Sequence, residues 1–205
     1  MQVYVDDQPF EVEGAESISV GEVFEQVLRR LRAEGRIVKA FGCDGEEVPA
    51  ADHQRVLGEP AADYERLDFL SCEPAELAID ALSRVQAMLM ELAPTKDLAV
   101  EKLNQGQTAE AMGLLRTFFD AWRQSQEAVM QSAQLMQLDL QGVSAKGVPV
   151  AEVFERFAEQ FRQLKEALEA SDHVTLADII SYEADQTTQL WIDLIEAVKN
   201  AIQAR

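Results

Sequence analysis

The spacing of hydrophobic and polar residues changes at Cys72–Glu73. Before this point, short β-branched and aromatic runs alternate with turn residues, and one amphipathic helical pattern lies among them. After it, apolar residues repeat every three or four positions, glycine and proline are sparse, and no convincing strand occurs. The pattern predicts an α+β protein in which a small sheet domain (residues 1–72) precedes an all-α domain (residues 73–205).

The first part predicts one helix among several short strands. Ser19 followed three positions later by Glu22 is typical of a capping box, and the helix that it opens should end at Gly35. Asp7-Gln8-Pro9 is predicted as the first turn. The strands are predicted at residues 1–6, 10–13, 36–41, 47–48 and 64–70.

This ββαββ order, with its first and last strands both buried, resembles the ubiquitin-like β-grasp. The opening Met1-Gln2-Val3-Tyr4-Val5 is also similar to the start of ubiquitin-type sequences. Conjugating and sulfur-carrying members of that family end in a free Gly-Gly, whereas this chain continues through Cys72-Glu73-Pro74. The resemblance, which covers residues 1–72, therefore implies a binding module.

The second part predicts a four-helix bundle made of two helical hairpins, because each helix carries one apolar stripe that must be buried. The two hairpins align at a few identities, such as Leu103 with Leu168, which both a diverged duplication and convergence explain. Helix A should begin near Pro74, be interrupted at Pro94 and end at Gly106. Helix B should carry its stripe from Met112 to Leu140, helix C should open at Pro149, and helix D should follow Ser171-Asp172 to the end, with residues 139–148 as the link between hairpins.

The net charge of −19 disfavours binding to nucleic acid or to an anionic membrane. It is explained either by solubility or by docking of a basic protein partner. The sequence shows no secretory signal and no apolar run of membrane-spanning length, so a cytoplasmic protein is expected. Cys43 and Cys72 should lie at opposite ends of neighbouring strands, too far apart for a disulfide. A homodimer is one arrangement that the sequence leaves open.

The usual motifs of catalysis and metal binding are missing. Neither His53 nor His173 follows a glutamate by three positions, as a di-iron bundle requires. No serine lies in a Gly-x-Ser-x-Gly elbow, and the segment from Gly142 to Gly147 lacks the Gly-Lys-Ser/Thr order of a phosphate loop. No catalytic residue, cofactor or metal ligand is therefore assigned.

Three polar residues fall on the apolar stripes of the helical part. Gln126 lies on the stripe of helix B, and Glu183 and Thr187 lie on that of helix D. They indicate a polar layer that fixes register, an inward-facing ligand site, or a local rotation that brings Glu183 to solvent. If Glu183 faces the core, it should hydrogen-bond Gln160, an arginine of helix C (Arg156 or Arg162), or a Tyr or Gln of helix B.

The leading functional hypothesis is a non-enzymatic cytoplasmic interaction protein: an adaptor, a chaperone-like bundle or a regulatory scaffold with an acidic surface. Acidic four-helix proteins such as flagellar export chaperones resemble the second part in general design. The alternative is a small-ligand or metal binder, or an enzyme, that uses the polar layer inside the bundle. The sequence further predicts that Trp122 and Trp191 are buried, since both lie on or beside an apolar stripe.

Overall fold

The computed structural model describes residues 1–14 and 17–205, and the chain forms two compact units, Met1–Leu77 and Ala78–Arg205. A small mixed sheet comes first and a helical region follows, which confirms the predicted α+β class. The two units are divided a few residues after Cys72, in the first turn of the helix that opens at Pro74.

The N-terminal unit is a five-stranded sheet with one long helix. Its strand order is β2-β1-β5-β3-β4, and only the central β1–β5 pair is parallel. Val23, Val27 and Leu31 of the helix pack with Leu67 and Phe69 of the last strand in one apolar core. The elements are β1 Gln2–Val5, β2 Gln8–Pro9, α1 Val20–Ala33, β3 Ile37–Cys43, β4 Glu46–Glu47, α2 His53–Leu57 and β5 Arg66–Cys72.

The predicted capping box of α1 is confirmed. The Ser19 amide donates to the Glu22 carboxylate at 2.8 Å, and the Glu22 amide donates to the Ser19 hydroxyl at 3.2 Å. These two bonds satisfy amides that the first helical turn otherwise leaves unpaired. The helix ends where predicted, since Gly35 takes a φ of +72° in the turn that leads to β3.

The second strand differs from the prediction. The turn falls on Asp6 and Asp7, with φ of 50° and 62°, so the strand is Gln8–Pro9 and residues 10–13 lie outside it. Two consecutive positive φ angles give the tight turn whose twist suits a hairpin, and aspartate tolerates them better than most residues. The Asp6 carboxylate is held in place by the backbone amide of Ser71, at 2.7 Å.

The helical unit contains six long helices where four were predicted, because the first and fourth predicted helices are each divided in two. The first is interrupted next to Pro94, as expected: its second piece begins at Ala93, with Pro94 in the first turn. The division of the fourth at Glu183 was not predicted. The helices are α3 Pro74–Glu91, α4 Ala93–Asn104, α5 Thr108–Leu135, α6 Val150–Glu169, α7 His173–Tyr182 and α8 Ala184–Gln203.

An aromatic core joins α5, α6 and α8. Trp122 packs at a tilt against Phe118 and Phe157 with ring centroids 4.7 Å and 5.2 Å apart, and the Trp191 and Phe157 centroids lie 5.0 Å apart. Both tryptophans are buried, as predicted, with exposures of 0% and 1%. The α4 helix packs against α5 and α7, and α8 packs against α5 and α6.

The link between the hairpins is ordered. Helix α5 ends at Leu135, five positions before the predicted Leu140, because Gln137 takes a φ of 49° and turns the chain. The link then forms a two-stranded ribbon, β6 Ser144–Ala145 and β7 Val148–Pro149. The expectation of no strand beyond residue 72 is therefore wrong here, since strands of two residues leave no alternating pattern.

The cysteine prediction is confirmed by the register of β3 and β5. Ile37 lies opposite Cys72 and Cys43 lies opposite Leu67, so the two thiols occupy opposite ends of the pair and form no disulfide within the described residues. Among the helices of the described residues, none combines the length and apolar character needed to cross a bilayer.

Candidate functional site

Glu183 is the single residue that separates α7 from α8, and it is exposed. The expected hydrogen bonds to Gln160, to an arginine of helix C or to helix B are not formed by its side chain within the described residues, so that expectation is wrong. Instead Glu183 reaches solvent, the third outcome considered from the sequence, at the point where the predicted helix D is divided. The Ser181 hydroxyl donates to the Ala177 carbonyl, and the Thr188 hydroxyl to the Ala184 carbonyl, both at 2.7 Å. Bonds of this type bend helices, which accounts for the division here.

The three predicted polar residues do not form one layer. Glu183 and the half-buried Thr187 line the same surface groove between α6 and α8. Gln126 is half-buried on α5 and is not among the residues that line this groove. The predicted layer is thus replaced by a two-helix site to which Gln126 does not belong.

The polar residue that does enter the core of α8 is Thr188, one position after the predicted Thr187. It is 8% exposed, and its hydroxyl accepts a hydrogen bond from the Trp122 indole at 3.0 Å. Two adjacent threonines, Thr187 and Thr188, are the sequence signal that could have identified this position. The division at Glu183 moves the buried face of the helix by one residue, from Thr187 to Thr188. Because a buried indole N–H needs an acceptor, this bond sets the position of α8 against α5.

The groove between α6 and α8, called here the α6–α8 groove, encloses about 410 Å³. Trp191 contacts Phe154 and Phe157, whereas Glu183 lies with Gln160, so the two helices run antiparallel along it. Eight residues line it: Arg156, Glu159, Gln160 and Gln163 from α6, then Glu183, with Gln186, Thr187 and Leu190 from α8.

Gln160 is the most unusual residue of this groove. It is 3% exposed, and neither its amide nitrogen nor its amide oxygen has a hydrogen-bond partner among the described residues. A buried polar group without a partner destabilises the folded state by about 1–3 kcal/mol, so such groups are rare in folded proteins. The apolar stripe of α6 (Val153, Phe157, Leu164) would accept leucine at this position as well.

Charges of both signs stand along the groove. Arg156 pairs with Glu152, one turn earlier on α6, at 2.5 Å, and 58% of the Arg156 side chain remains exposed. Glu159 accepts hydrogen bonds from Arg162 and Gln163, which hold the pKa of its carboxyl below the ordinary value. Glu183 makes no ion pair within the described residues. The groove therefore offers a cation at the Arg156 end and an unpaired carboxylate at the Glu183 end.

A buried lysine lies elsewhere in the helical unit. Lys96 of α4 is 4% exposed, and its ammonium contacts Asp97 at 2.9 Å and Asp185 at 2.8 Å. Burial alone would lower the pKa of Lys96, but the hydrogen bonds to Asp185 and Asp97 outweigh it and raise the pKa. Lys96 is thus held in its charged form and ties α4 to the first turn of α8, which gives it a structural role.

The N-terminal unit carries a second concave surface, on the sheet face opposite α1. This acidic hollow encloses about 650 Å³. Its floor includes Ala40 and Leu70, which are paired across β3 and β5, and Leu70 is 50% exposed. Gly42 also lines the hollow, and the position requires glycine because a Cβ there would lie 2.8 Å from the Glu46 carbonyl oxygen. Six carboxylates line it: Asp7, Asp44, Glu46, Glu47, Glu65 and Asp68.

The one base that lines the hollow is already engaged. Arg66 donates to both carboxylate oxygens of Asp68, and its guanidinium lies 4.3 Å from the Tyr4 ring centre. Asp44 accepts from the backbone amides of Glu65 and Arg66, both at 2.8 Å. The field over the hollow is therefore negative around an apolar floor.

Nothing near the hollow favours nucleophilic chemistry. Burial, followed by the charges of Asp44, Glu59 and Asp68, raises the pKa of the Cys43 thiol to about 11, so it stays protonated at neutral pH. The His53 ring nitrogen bonds the Val48 carbonyl at 3.0 Å, and the ring packs 4.9 Å from that of Phe41. Within residues 1–14 and 17–205, no group of three or more His, Cys, Asp or Glu side chains is arranged to hold a metal ion.

The fold and these two surfaces define an α+β protein that pairs an acidic sheet module with a helical unit. Residues 80–194 match the family model described as a domain of unknown function (DUF8042); because the match spans more than half of the chain, the protein belongs to this family. Residues 1–73 match a second model, the TP0873 N-terminal domain. No curated protein and no solved structure gives a significant match.

Proposed function

We propose that the protein is a non-enzymatic cytoplasmic interaction protein whose acidic hollow binds a basic segment of a partner protein. The observation that carries this proposal is the charge of the hollow. Six carboxylates line it, and its one guanidinium is already paired with Asp68. An arginine- or lysine-rich chain would meet complementary charge there, which raises the association rate and disfavours acidic competitors.

The apolar floor favours a peptide over a simple polycation. Leu70 is half-exposed beside Ala40, so a partner residue of moderate size would bury apolar surface between the carboxylates. Each 100 Å² of apolar area removed from water contributes about 2.5 kcal/mol before the costs of association. The expected partner segment therefore alternates basic and aliphatic side chains.

The architecture of the N-terminal unit supports the same role. The strand order β2-β1-β5-β3-β4, with its parallel central pair and one helix across one face, is what a ubiquitin-like β-grasp would show. We include this relationship in the proposal, as a binding module that leaves its outer sheet face to a partner.

The test measures binding of a fluorescent peptide of alternating lysine and leucine to the full chain, with a glutamate–leucine peptide as the negative probe. The double variant Glu46→Lys/Glu47→Lys reverses charge inside the hollow. Its matched control, Glu11→Lys/Glu25→Lys, makes the same charge change at exposed positions that do not line the hollow.

The hollow variant should weaken binding by about tenfold or more, while the control variant should change it by less than about threefold. Binding should also weaken as salt is raised, since exposed charges are screened. Equal losses in both variants would mean that only net charge matters, and the absence of binding to the wild-type chain would refute the proposal.

A further inference from the structure

We propose that the α6–α8 groove is a binding site for a small zwitterionic amide of dipeptide size. The central amide of the ligand would pair with Gln160, its ammonium with Glu183 and its carboxylate with Arg156. The proposal concerns the helical unit alone and does not depend on the acidic hollow.

Gln160 specifies the centre of the ligand. Its side chain is buried and holds one unpaired acceptor and one unpaired donor, and Gln160 is among the residues that line the groove. A peptide bond offers the reciprocal pair, an N–H and a C=O, and can satisfy both atoms at once. An apolar ligand would leave both atoms unpaired, and a simple metal ion or ammonium would leave the donor unpaired.

The ends of the groove specify the ends of the ligand. Arg156 lies one turn before Gln160 on α6. Because the two helices run antiparallel, Glu183, just before α8, falls on the side of the later α6 residues Gln160 and Gln163. Residues 156 and 163 are separated by about 10 Å along the helix axis, and inward-reaching side chains shorten this distance. Two extended residues span about 7 Å, which fits between the two charges.

The other groups in the groove fit the same ligand. Glu159 and Glu183 disfavour an anion without a positive group, and Arg156 disfavours a simple cation. Leu190 supplies an apolar contact for a small side chain. Because both amide atoms of Gln160 are covered, the ligand must displace neighbouring side chains as it enters.

The experiment titrates the full chain calorimetrically with Ala-Ala and Gly-Gly, at concentrations into the millimolar range. The comparison ligands are N-acetyl-alanine amide, which has amides and no charges, and free glutamine, which has both charges on one carbon. Saturable binding of a dipeptide at one site per chain is expected, with affinity at least about tenfold weaker for either comparison ligand.

Three variants test the assigned contacts. Glu183→Gln and Arg156→Gln should each weaken dipeptide binding by about tenfold, since each removes one charge pair. Gln160→Leu should abolish binding while melting at the wild-type temperature or higher, because it removes unpaired polar atoms from a buried position. Gln189→Leu is the matched control: it makes the same substitution on exposed α8 surface outside the groove and should bind as the wild type does.

Failure of every dipeptide to bind the wild-type chain would overturn the proposal. So would binding that survives in Gln160→Leu, or free glutamine that binds as tightly as a dipeptide. The basic-peptide assay should be unchanged in Gln160→Leu, so failure of this site and failure of the acidic hollow are distinguishable.

Discussion

The two units bury different kinds of side chain. In the described residues of the N-terminal unit every buried side chain is apolar, whereas the helical unit buries Lys96, Ser125, Ser132, Gln160 and Thr188. In the N-terminal unit, the polar groups that fix local geometry lie instead at the ends of helices and strands, in the Ser19 capping box and the Asp6–Ser71 bonds. A sheet receives its register from turns and backbone pairing, while packed helices can slide or rotate unless buried polar groups oppose it.

The buried polar groups of the helical unit are satisfied to different degrees. The hydroxyls of Ser125 and Thr188 donate to carbonyls of their own helices, and Lys96 has two aspartates. Gln160 has no partner within the described protein. The Trp191 indole N–H is also buried without a partner. Gln160 is therefore the side chain of the described residues in which both a buried donor and a buried acceptor are unused.

The largest expected effect tests whether the aromatic core stabilises the helical unit alone. Trp122→Ala should destabilise that unit by about 3–5 kcal/mol through the cavity it leaves. The measurement is urea unfolding of the full chain, followed by circular dichroism for the helices and by backbone NMR for the sheet. If the sheet resonances of residues 1–72 are lost at the same lowered urea concentration, the two units unfold together and the comparison fails.

The second prediction concerns the buried lysine. Asp97→Asn/Asp185→Asn should destabilise the helical unit by up to about 3 kcal/mol, because it leaves a buried ammonium without a counter-charge. Lys96→Met removes that charge and should change stability by less than about 1 kcal/mol. Both are measured by urea unfolding at pH 7, and a larger loss in Lys96→Met than in the double variant would contradict this account.

The third prediction concerns the bond between α5 and α8. Thr188→Val keeps the shape of the side chain but removes the acceptor of the Trp122 indole, so it should destabilise the helical unit by about 1–2 kcal/mol. Thr188→Ser keeps the hydroxyl and should recover the polar part of that loss. Thermal unfolding checks the order, and equal melting temperatures for the valine variant and the wild type would show that the bond does not matter.

The smallest expected effect lies in the N-terminal unit and depends on pH. Burial alone would raise the pKa of Asp6, but hydrogen bonds from the Ser71 amide and hydroxyl, with Arg36 nearby, outweigh it and lower the pKa. A lowered pKa in the folded state means that the ionised carboxylate stabilises the fold above pH 3.8, the ordinary value. This contribution is lost as the pH falls through the lowered pKa.

Asp6→Asn should therefore cost less than about 1 kcal/mol at pH 7, since the side chain is partly exposed, and asparagine still tolerates the positive φ. The difference from wild type should disappear as the pH falls below the lowered pKa. A difference that is constant from pH 7 to pH 2, measured by urea unfolding, would assign the effect to geometry rather than charge.

Local signals predicted much of the fold. The Ser19–Glu22 box, the interruption at Pro94 and the burial of both tryptophans follow from residues whose effects act within one helical turn. The division at Glu183 could not be predicted in this way, because Tyr182, Glu183 and Ala184 contain no helix breaker. It depends on serine and threonine side chains that bond back to the helix and on the fixed positions of Lys96 and Trp122.

The site was predicted less completely than the fold. Glu183 and Thr187 were identified, but Gln160 was considered only as a partner for Glu183, since one glutamine on an amphipathic helix carries no special signal. Its importance depends on the absence of a partner, which only the packed structure shows. The hollow of the sheet was missed because its carboxylates come from three separate segments of the chain.

The placement of the two indoles has a practical consequence. Both tryptophans of the chain, Trp122 and Trp191, lie in the helical unit, and the N-terminal unit has none. Selective excitation of tryptophan therefore gives an emission signal that reports on the helical unit alone. Because Trp191 follows Thr187 and Leu190 on the helix that lines the groove, its emission is also a label-free optical probe of events there.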